Sequence, residues 1–371
     1  MQAEFFPETH FFSFSPIREK GQGIYPVFLP FSGCPGRCLF CAQDIQTGRA
    51  PAPVRRHLDD AAAALEKRLE QGLPALELAF FGGTFTALPP GDLRACLDFA
   101  VHWRNKGAVL SFRCSTRPDR LDQPLLEALK TAGCAMVELG VQSFSDPALA
   151  QSQRGYTGAR AEAGCRMVKE SGLRLGIQLM PGMPGLEPEA ARRDIDVTLA
   201  LAPDCVRLYP CLVLAGAPLA DLWRAGRYVP WDLPDCVDFL ARACLRFERA
   251  GIAIARMGVA EDSGLAEQVL AGPRHPALGN MVRALALHLC LRERVREFAA
   301  AFPGVRPRLF APRRFQGEFW GHRKALAPAY AELGLTKETV RWWEHDCFAL
   351  TGLQGIAMRA GTRYSETWRT Y

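Results

Sequence analysis

Through residues 24–209 the chain alternates without a break between short apolar runs and longer segments whose apolar residues recur at helical spacing. The runs Ile24–Leu29, Leu76–Phe81, Val109–Cys114, Met136–Val141, Leu173–Met180 and Val206–Tyr209 read as strands. After His57, the residues Leu58, Ala62, Leu65 and Leu69 mark a helix that Gly72 stops. Further helices are expected at Leu93–Val101, Leu125–Leu129, Ala159–Lys169 and Ala190–Leu199. Strands separated by helices pair in parallel through right-handed crossovers. The expected fold class is therefore α/β, a partial (β/α)6 barrel with ligand sites at the carboxyl ends of its strands. Pro26 fits the first strand poorly, because proline cannot donate to a ladder and prefers edges or strand starts.

A further helix, Val237–Glu248, and a strand, Ile252–Met257, either extend the barrel edge or cover it. Beyond Gly258 the pattern changes to a turn-rich stretch, Ala271 to Pro276, then a helix over Met281–Ala301. A basic strand-like segment (Val305–Phe310), a helix near Phe319–Leu333 and a last strand near Val340–Leu350 complete a small C-terminal α/β cap. The expected division is an N-terminal extension over 1–20, the barrel over 21–258 and the accessory domain over 259–371.

Thirteen cysteines would mean disulfides in a small secreted protein, but here the number is odd and the chain is 371 residues long. Met1 to Pro16 is aromatic and carries Glu4 and Glu8, unlike a signal peptide, so a reduced, cytoplasmic compartment is expected. No apolar run approaches the roughly 18 residues that span a bilayer. The net charge of +6 permits a nucleic acid partner without requiring one.

After the first strand comes Cys34-Pro35-Gly36-Arg37-Cys38-Leu39-Phe40-Cys41. Three cysteines so spaced can turn toward one inorganic object. Iron–sulfur clusters are normally held by four thiolates, so a group of three leaves one iron open to a substrate or cofactor. A structural zinc site is disfavoured, since no fourth Cys or His follows at ligand spacing, and three unrelated core cysteines are the remaining reading.

Polar residues and glycines gather at the other strand ends. Gly82-Gly83-Thr84 follows the second strand, where glycines let the backbone approach a ligand. The third strand leads to Ser115-Thr116-Arg117-Pro118-Asp119, and the fourth to Gln142-Ser143 with Arg154 twelve residues on. The fifth carries Gln178, and the sixth ends at Tyr209.

The spacing of Cys34, Cys38 and Cys41, with Phe40 before the last, resembles the signature of radical S-adenosylmethionine (SAM) enzymes. The resemblance implies a radical SAM barrel with a [4Fe–4S] cluster on those cysteines. SAM would be chelated at the open iron and split by one electron to a 5′-deoxyadenosyl radical that takes a hydrogen atom from substrate. Over roughly 33–228 the chain is similar to the radical-SAM half of the Elongator catalytic subunit and its bacterial relatives. The matching stretches include Gly-Gly-Thr-Phe, Thr-Arg-Pro-Asp, Glu-Leu-Gly-Val-Gln-Ser and Arg-Gly-Tyr-Thr. By that resemblance Gly82, Gly83 and Thr84 hold the SAM amino group, with Thr84 replacing the usual acid. Gln142 and Arg154 contact its ribose or carboxylate, Arg154 being suited to a bidentate carboxylate pair. Gln178 binds a ribose hydroxyl and Tyr209 lies near the adenine. Ser115 stands where relatives often have an acid. Gly216-Ala217-Pro218-Leu219 lacks a threonine common there. The acetyltransferase domain and the basic N-terminal arm of the Elongator subunit are not expected in this chain.

The expected reaction is modification of a tRNA or other RNA nucleoside, with a reducing partner such as flavodoxin or ferredoxin. A small metabolite or tetrapyrrole is the alternative substrate, and a non-catalytic RNA-binding module with a structural metal is the alternative of another class. Arg306, Arg308, Arg313 and Arg314 interleave with Phe310 and Phe315, and Trp320, His322, Arg323 and Lys324 follow; RNA contact there is the expectation. Trp342 to Asp346 reads as core and strand edge. His275, in a Gly-Pro-Arg-His-Pro turn, could reach the barrel mouth as a proton donor or serve the loop alone.

Overall fold

The computed structural model describes residues 9–14, 23–48, 51–258 and 265–352. Glu4, Glu8 and most of the 1–20 extension lie outside the described residues. One sheet holds seven strands: β1 (Ile24–Phe28), β2 (Leu76–Phe81), β3 (Val109–Thr116), β4 (Cys134–Gln142), β5 (Arg174–Leu179), β6 (Cys205–Leu208) and β7 (Ala253–Met257). Their spatial order is their chain order, and every pair is parallel. That is the half-barrel right-handed crossovers produce when each connection returns to the same side. The seventh strand extends the barrel edge. β1 lies at the opposite edge, where the missing N–H of Pro26 costs the ladder least.

The crossovers run through α1 (Val54–Glu70), α2 (Pro90–Asn105), α3 (Gln123–Thr131), α4 (Gly158–Glu170), α5 (Pro188–Leu201) and α6 (Leu233–Arg249). Their starts are written locally. Asp122, Thr157 and Asp232 each accept a hydrogen bond from the backbone N–H three residues on. Leu78, Phe80, Phe112, Val137, Leu139 and Leu175 alternate along the strands, are wholly buried and form the core. Phe80 stacks on Phe85 at 4.7 Å and meets Phe112 edge-on at 5.7 Å. The other face of the same strands is polar, and it is the face that forms the site.

After Gln268 the chain returns to the barrel: Val269–Ala271 pairs antiparallel with Val213–Leu214. The barrel unit accordingly spans 17–278, and a second compact unit joins 1–16 to 279–371. In the second unit a four-stranded sheet takes the order His10–Phe12, Phe348–Gly352, Pro307–Pro312, Val340–Trp343. Two expectations need correction here. The helix near Phe319–Leu333 shrinks to Ala327–Glu332, because Gly321, Arg323 and Lys324 all adopt left-handed backbone. The strand near Val340–Leu350 is two strands, parallel and antiparallel to Pro307–Pro312. The turn between them is closed by Trp343 Nε1 donating to the Cys347 carbonyl at 2.7 Å.

No helix among the described residues is long and apolar enough to cross a membrane. All thirteen cysteines are free thiols.

Candidate active site

The cysteine loop leaves β1 and docks on the glycine turn after β2 through backbone contacts. Leu29 N donates to Phe81 O at 2.8 Å and Thr84 N to Ser32 O at 2.8 Å. Gln43 locks the two together: its Oε1 accepts from Phe31 N (2.7 Å) and Gly83 N (3.0 Å). So close an approach leaves no space for side chains. Gly83 has φ +53°, and a Cβ there would lie 2.1 Å from Ser32 O. Gly83→Ala should therefore cost about 1–3 kcal/mol through strain and forced separation of the two loops. It should also lower bound iron per chain; a melting temperature and iron content equal to wild type would contradict this.

The two loops and the ends of β3 to β6 enclose a cavity of about 490 Å³, the size of small-molecule sites. Cys34, Cys38, Cys41, Gly82, Gly83, Thr84, Ser115, Gln142, Arg154, Gln178 and Tyr209 all line it. Arg154 Nη1 donates to Cys38 Sγ at 3.1 Å, and Cys34 Sγ and Thr84 Oγ1 are hydrogen-bonded at 3.4 Å. Burial raises the pKa of Cys34, and burial with the repulsion of Cys38 and Cys34 pushes Cys41 up to about 12. Among the described residues no three His, Cys, Asp or Glu side chains converge as ligands of a single ion would. The thiols face a shared space instead.

Arg154 is buried, and its donors are filled by Cys38, Tyr156 Oη (3.0 and 2.7 Å) and the Gly140 carbonyl. Burial opposes its charge, but Tyr156 and Cys38 outweigh that and raise its pKa. A bidentate carboxylate pair would require Arg154 to release Gly140 or Tyr156. Gln142 takes a left-handed φ of 68° at a register shift between β4 and β5, conformations that cluster at functional sites. Its Oε1 accepts from Gln178 Nε2 at 3.2 Å.

The turn after Gln142 is anchored by Asp194 of α5, which accepts from Ser143 Oγ (2.7 Å) and Phe144 N (2.8 Å). Burial nevertheless pushes its carboxyl up to about 6. The folded chain thus holds this proton more tightly than the unfolded chain. Its contribution is fully present below the ordinary Asp range near 4 and is lost as pH rises through about 6. The expected loss is on the order of 2–3 kcal/mol. Urea midpoints should show this slope in wild type, and Asp194→Asn should flatten it.

Beneath these residues lies a band of charge that sequence reading did not single out. Glu77 accepts from Arg113 Nε at 2.8 Å and also from its Nη2. Glu138 accepts from Arg113 Nη1 (3.1 Å) and, bidentately, from Arg207 Nε and Nη2. Arg207 also donates to Tyr209 Oη at 3.1 Å and lies over the Phe81 ring at 5.2 Å. The signal was present: these charges sit at period two with Phe81, Ser115, Gln142 and Tyr209, on one face of strands otherwise apolar. His275, by contrast, is not in the cavity lining; its Nδ1 accepts from Ala277 N at 3.0 Å within its own loop.

A parallel half-barrel with three thiols in the loop after its first strand, opening on a polar cavity, defines a class. The family model of the Radical SAM superfamily matches residues 28–197 and that of the Radical SAM C-terminal domain matches 203–286. The chain belongs to the radical SAM superfamily and is an enzyme of that class, whose cofactors are a [4Fe–4S] cluster and SAM. It is similar to the tRNA uridine(34) acetyltransferase of Methanocaldococcus infernus, with 29% identity over 268 residues, 62% of this chain and 50% of that protein. Against Elongator complex protein 3 of Mus musculus it is 31% identical over 199 residues, 47% of this chain and 36% of that one. The chain thus spans half or less of the length of these relatives. The structure of archaeal Methanocaldococcus infernus Elp3 with an N-terminal deletion shares the fold, at TM-score 0.57 and 23% identity over 74% of this chain and 65% of that one. The donor set fits the cluster: three thiols line one cavity, with Arg154 donating to the sulfur of Cys38 and Thr84 hydrogen-bonded to that of Cys34.

Proposed function

We propose that the protein cleaves SAM reductively and uses the reaction to modify an RNA nucleoside, a uridine of tRNA being the foremost candidate. The observation that carries this reading is that the three cysteines and the eight other residues expected to hold SAM line one cavity. When bound, cluster and SAM supply one-electron cleavage of a sulfonium bond and abstraction of a substrate hydrogen atom. Cys34, Cys38 and Cys41 would hold the cluster as thiolates, with Thr84 and Arg154 donating to the sulfurs of Cys34 and Cys38. Gly82 and Gly83 offer backbone groups to the SAM amino end. Ser115, Gln142 and Gln178 offer hydrogen bonds to its polar edge, and Tyr209 offers a ring beside its base. The Glu77–Arg113–Glu138–Arg207 band keeps the cavity floor rigid.

The relatives that act on tRNA support the substrate class, as does the second unit. There Arg313 pairs with Glu344 at 2.8 Å and Arg314 with Asp346, both exposed. Exposed pairs contribute about 0–1 kcal/mol, little enough to be exchanged for RNA phosphates. A reducing partner such as flavodoxin or ferredoxin and a cytoplasmic location complete the reading. Anaerobic protein with reductant and SAM should form 5′-deoxyadenosine, and its absence overturns SAM cleavage. Total tRNA from cells with and without the protein should differ in one modified nucleoside; identical profiles, with no salt-sensitive tRNA binding, overturn the RNA substrate.

A further inference from the structure

The cavity reaches both edges of the half-barrel: Pro26 and Phe28 of β1 line it on one side and Arg256 of β7 on the other. Its charge is unbalanced, with Arg117, Arg154, Arg207 and Arg256 in the lining against the single carboxylate of Glu138. Most of these arginines are already answered. Arg117 holds Asp119 at 2.8 Å, Arg154 faces Cys38 and Arg207 is held by Glu138. The Arg256 side chain is exposed and makes no hydrogen bond or ion pair among the described residues. Arg256 is also the register partner of Arg207, so the two side chains leave the same face of a parallel pair, Arg207 turning to Glu138. Arg207 has its carboxylate in Glu138, whereas Arg256 has no anion among the described residues. At the other edge of the sheet the cavity is lined by the ring of Phe28, a surface for a planar base, whereas Arg207 already lies over Phe81.

The geometry points to an anion subsite at Arg256 that binds the phosphate of a nucleotide whose base lies toward Phe28. This rests on the proposed RNA substrate and narrows it. The enzyme takes hold of the substrate's backbone phosphate inside the cavity and not only on the outer surface. A guanidinium is suited to it, since two N–H groups can meet two phosphate oxygens.

The test uses the full chain with its cluster, and calorimetric titration with uridine 5′-monophosphate and with uridine. Wild type should bind the monophosphate more tightly than the nucleoside. Arg256→Gln should weaken the monophosphate roughly ten- to hundred-fold, the value of a charge-assisted bond, and leave uridine unchanged. Arg256→Lys should recover part of the loss, because the charge remains. Equal binding of the two probes by wild type, or an unchanged monophosphate affinity in Arg256→Gln, overturns the subsite. Binding of whole tRNA separates the two readings. If tRNA binds and Arg256→Gln does not affect the monophosphate, the subsite fails and the RNA reading stands. If the monophosphate binds through Arg256 while tRNA does not bind, the subsite stands and the RNA reading fails.

Discussion

Cys38→Ala is expected to yield a colourless protein with little iron or sulfide and no formation of 5′-deoxyadenosine from SAM. Cys34→Ala and Cys41→Ala should behave alike, because a cluster already short of one protein thiolate cannot lose a second without dissociating. Cys38 should be the most severe of the three. Its sulfur is the acceptor of the buried Arg154 guanidinium, so alanine removes a ligand and also strands a charge. The control is Cys347→Ser, which lies in the second unit outside the cavity and should keep wild-type iron. Iron, sulfide and deoxyadenosine measured on anaerobic protein decide the matter. Full iron and turnover in Cys38→Ala would show that the ligands lie elsewhere.

The second large effect belongs to Glu138. Removing one partner of a buried ion pair leaves an uncompensated charge and costs about 3–5 kcal/mol. Glu138 is 4% exposed and answers two arginines, so Glu138→Gln leaves Arg207 without a carboxylate and Arg113 with only Glu77. A fall of that size in the denaturant unfolding free energy is expected. Adding Arg207→Met to Glu138→Gln should restore part of it, since the orphaned charge is then gone and residues in one network do not add. A loss below about 1 kcal/mol, or strictly additive effects, would mean that water or a neighbouring group already screens the band.

Much of the barrel was legible because parallel strands between amphipathic helices leave a strong periodic trace, and every strand expected up to Tyr209 occurs within a few residues of its place. The cavity lining was legible for a related reason: the strand-end rule points to one rim, and Gly82, Ser115, Gln142, Gln178 and Tyr209 all stand on it. What escaped was whatever depends on pairing across the sheet. Glu77 and Arg113 each share the period-two face of their own strand, but only the register shows that they pair. Gln43, too, shows its use only when the cysteine loop meets Gly83. In the second unit propensity misled. Segment 340–350 is rich in β-formers, but Glu344 to Asp346 turn the chain back, and the left-handed backbone of Arg323 and Lys324 cannot be inferred from basic residues.

A half-barrel, unlike a closed one, ends in two free ladders, each a template on which another chain could add a strand and seed aggregates. Pro26 disarms one of them, since an incoming strand would find a missing donor in the middle of β1. At the other, Arg256 of β7 carries an exposed charge, one of the features that discourage strand addition at a sheet edge. Proline at one rim and arginine at the other thus work against strand addition where the half-barrel is open.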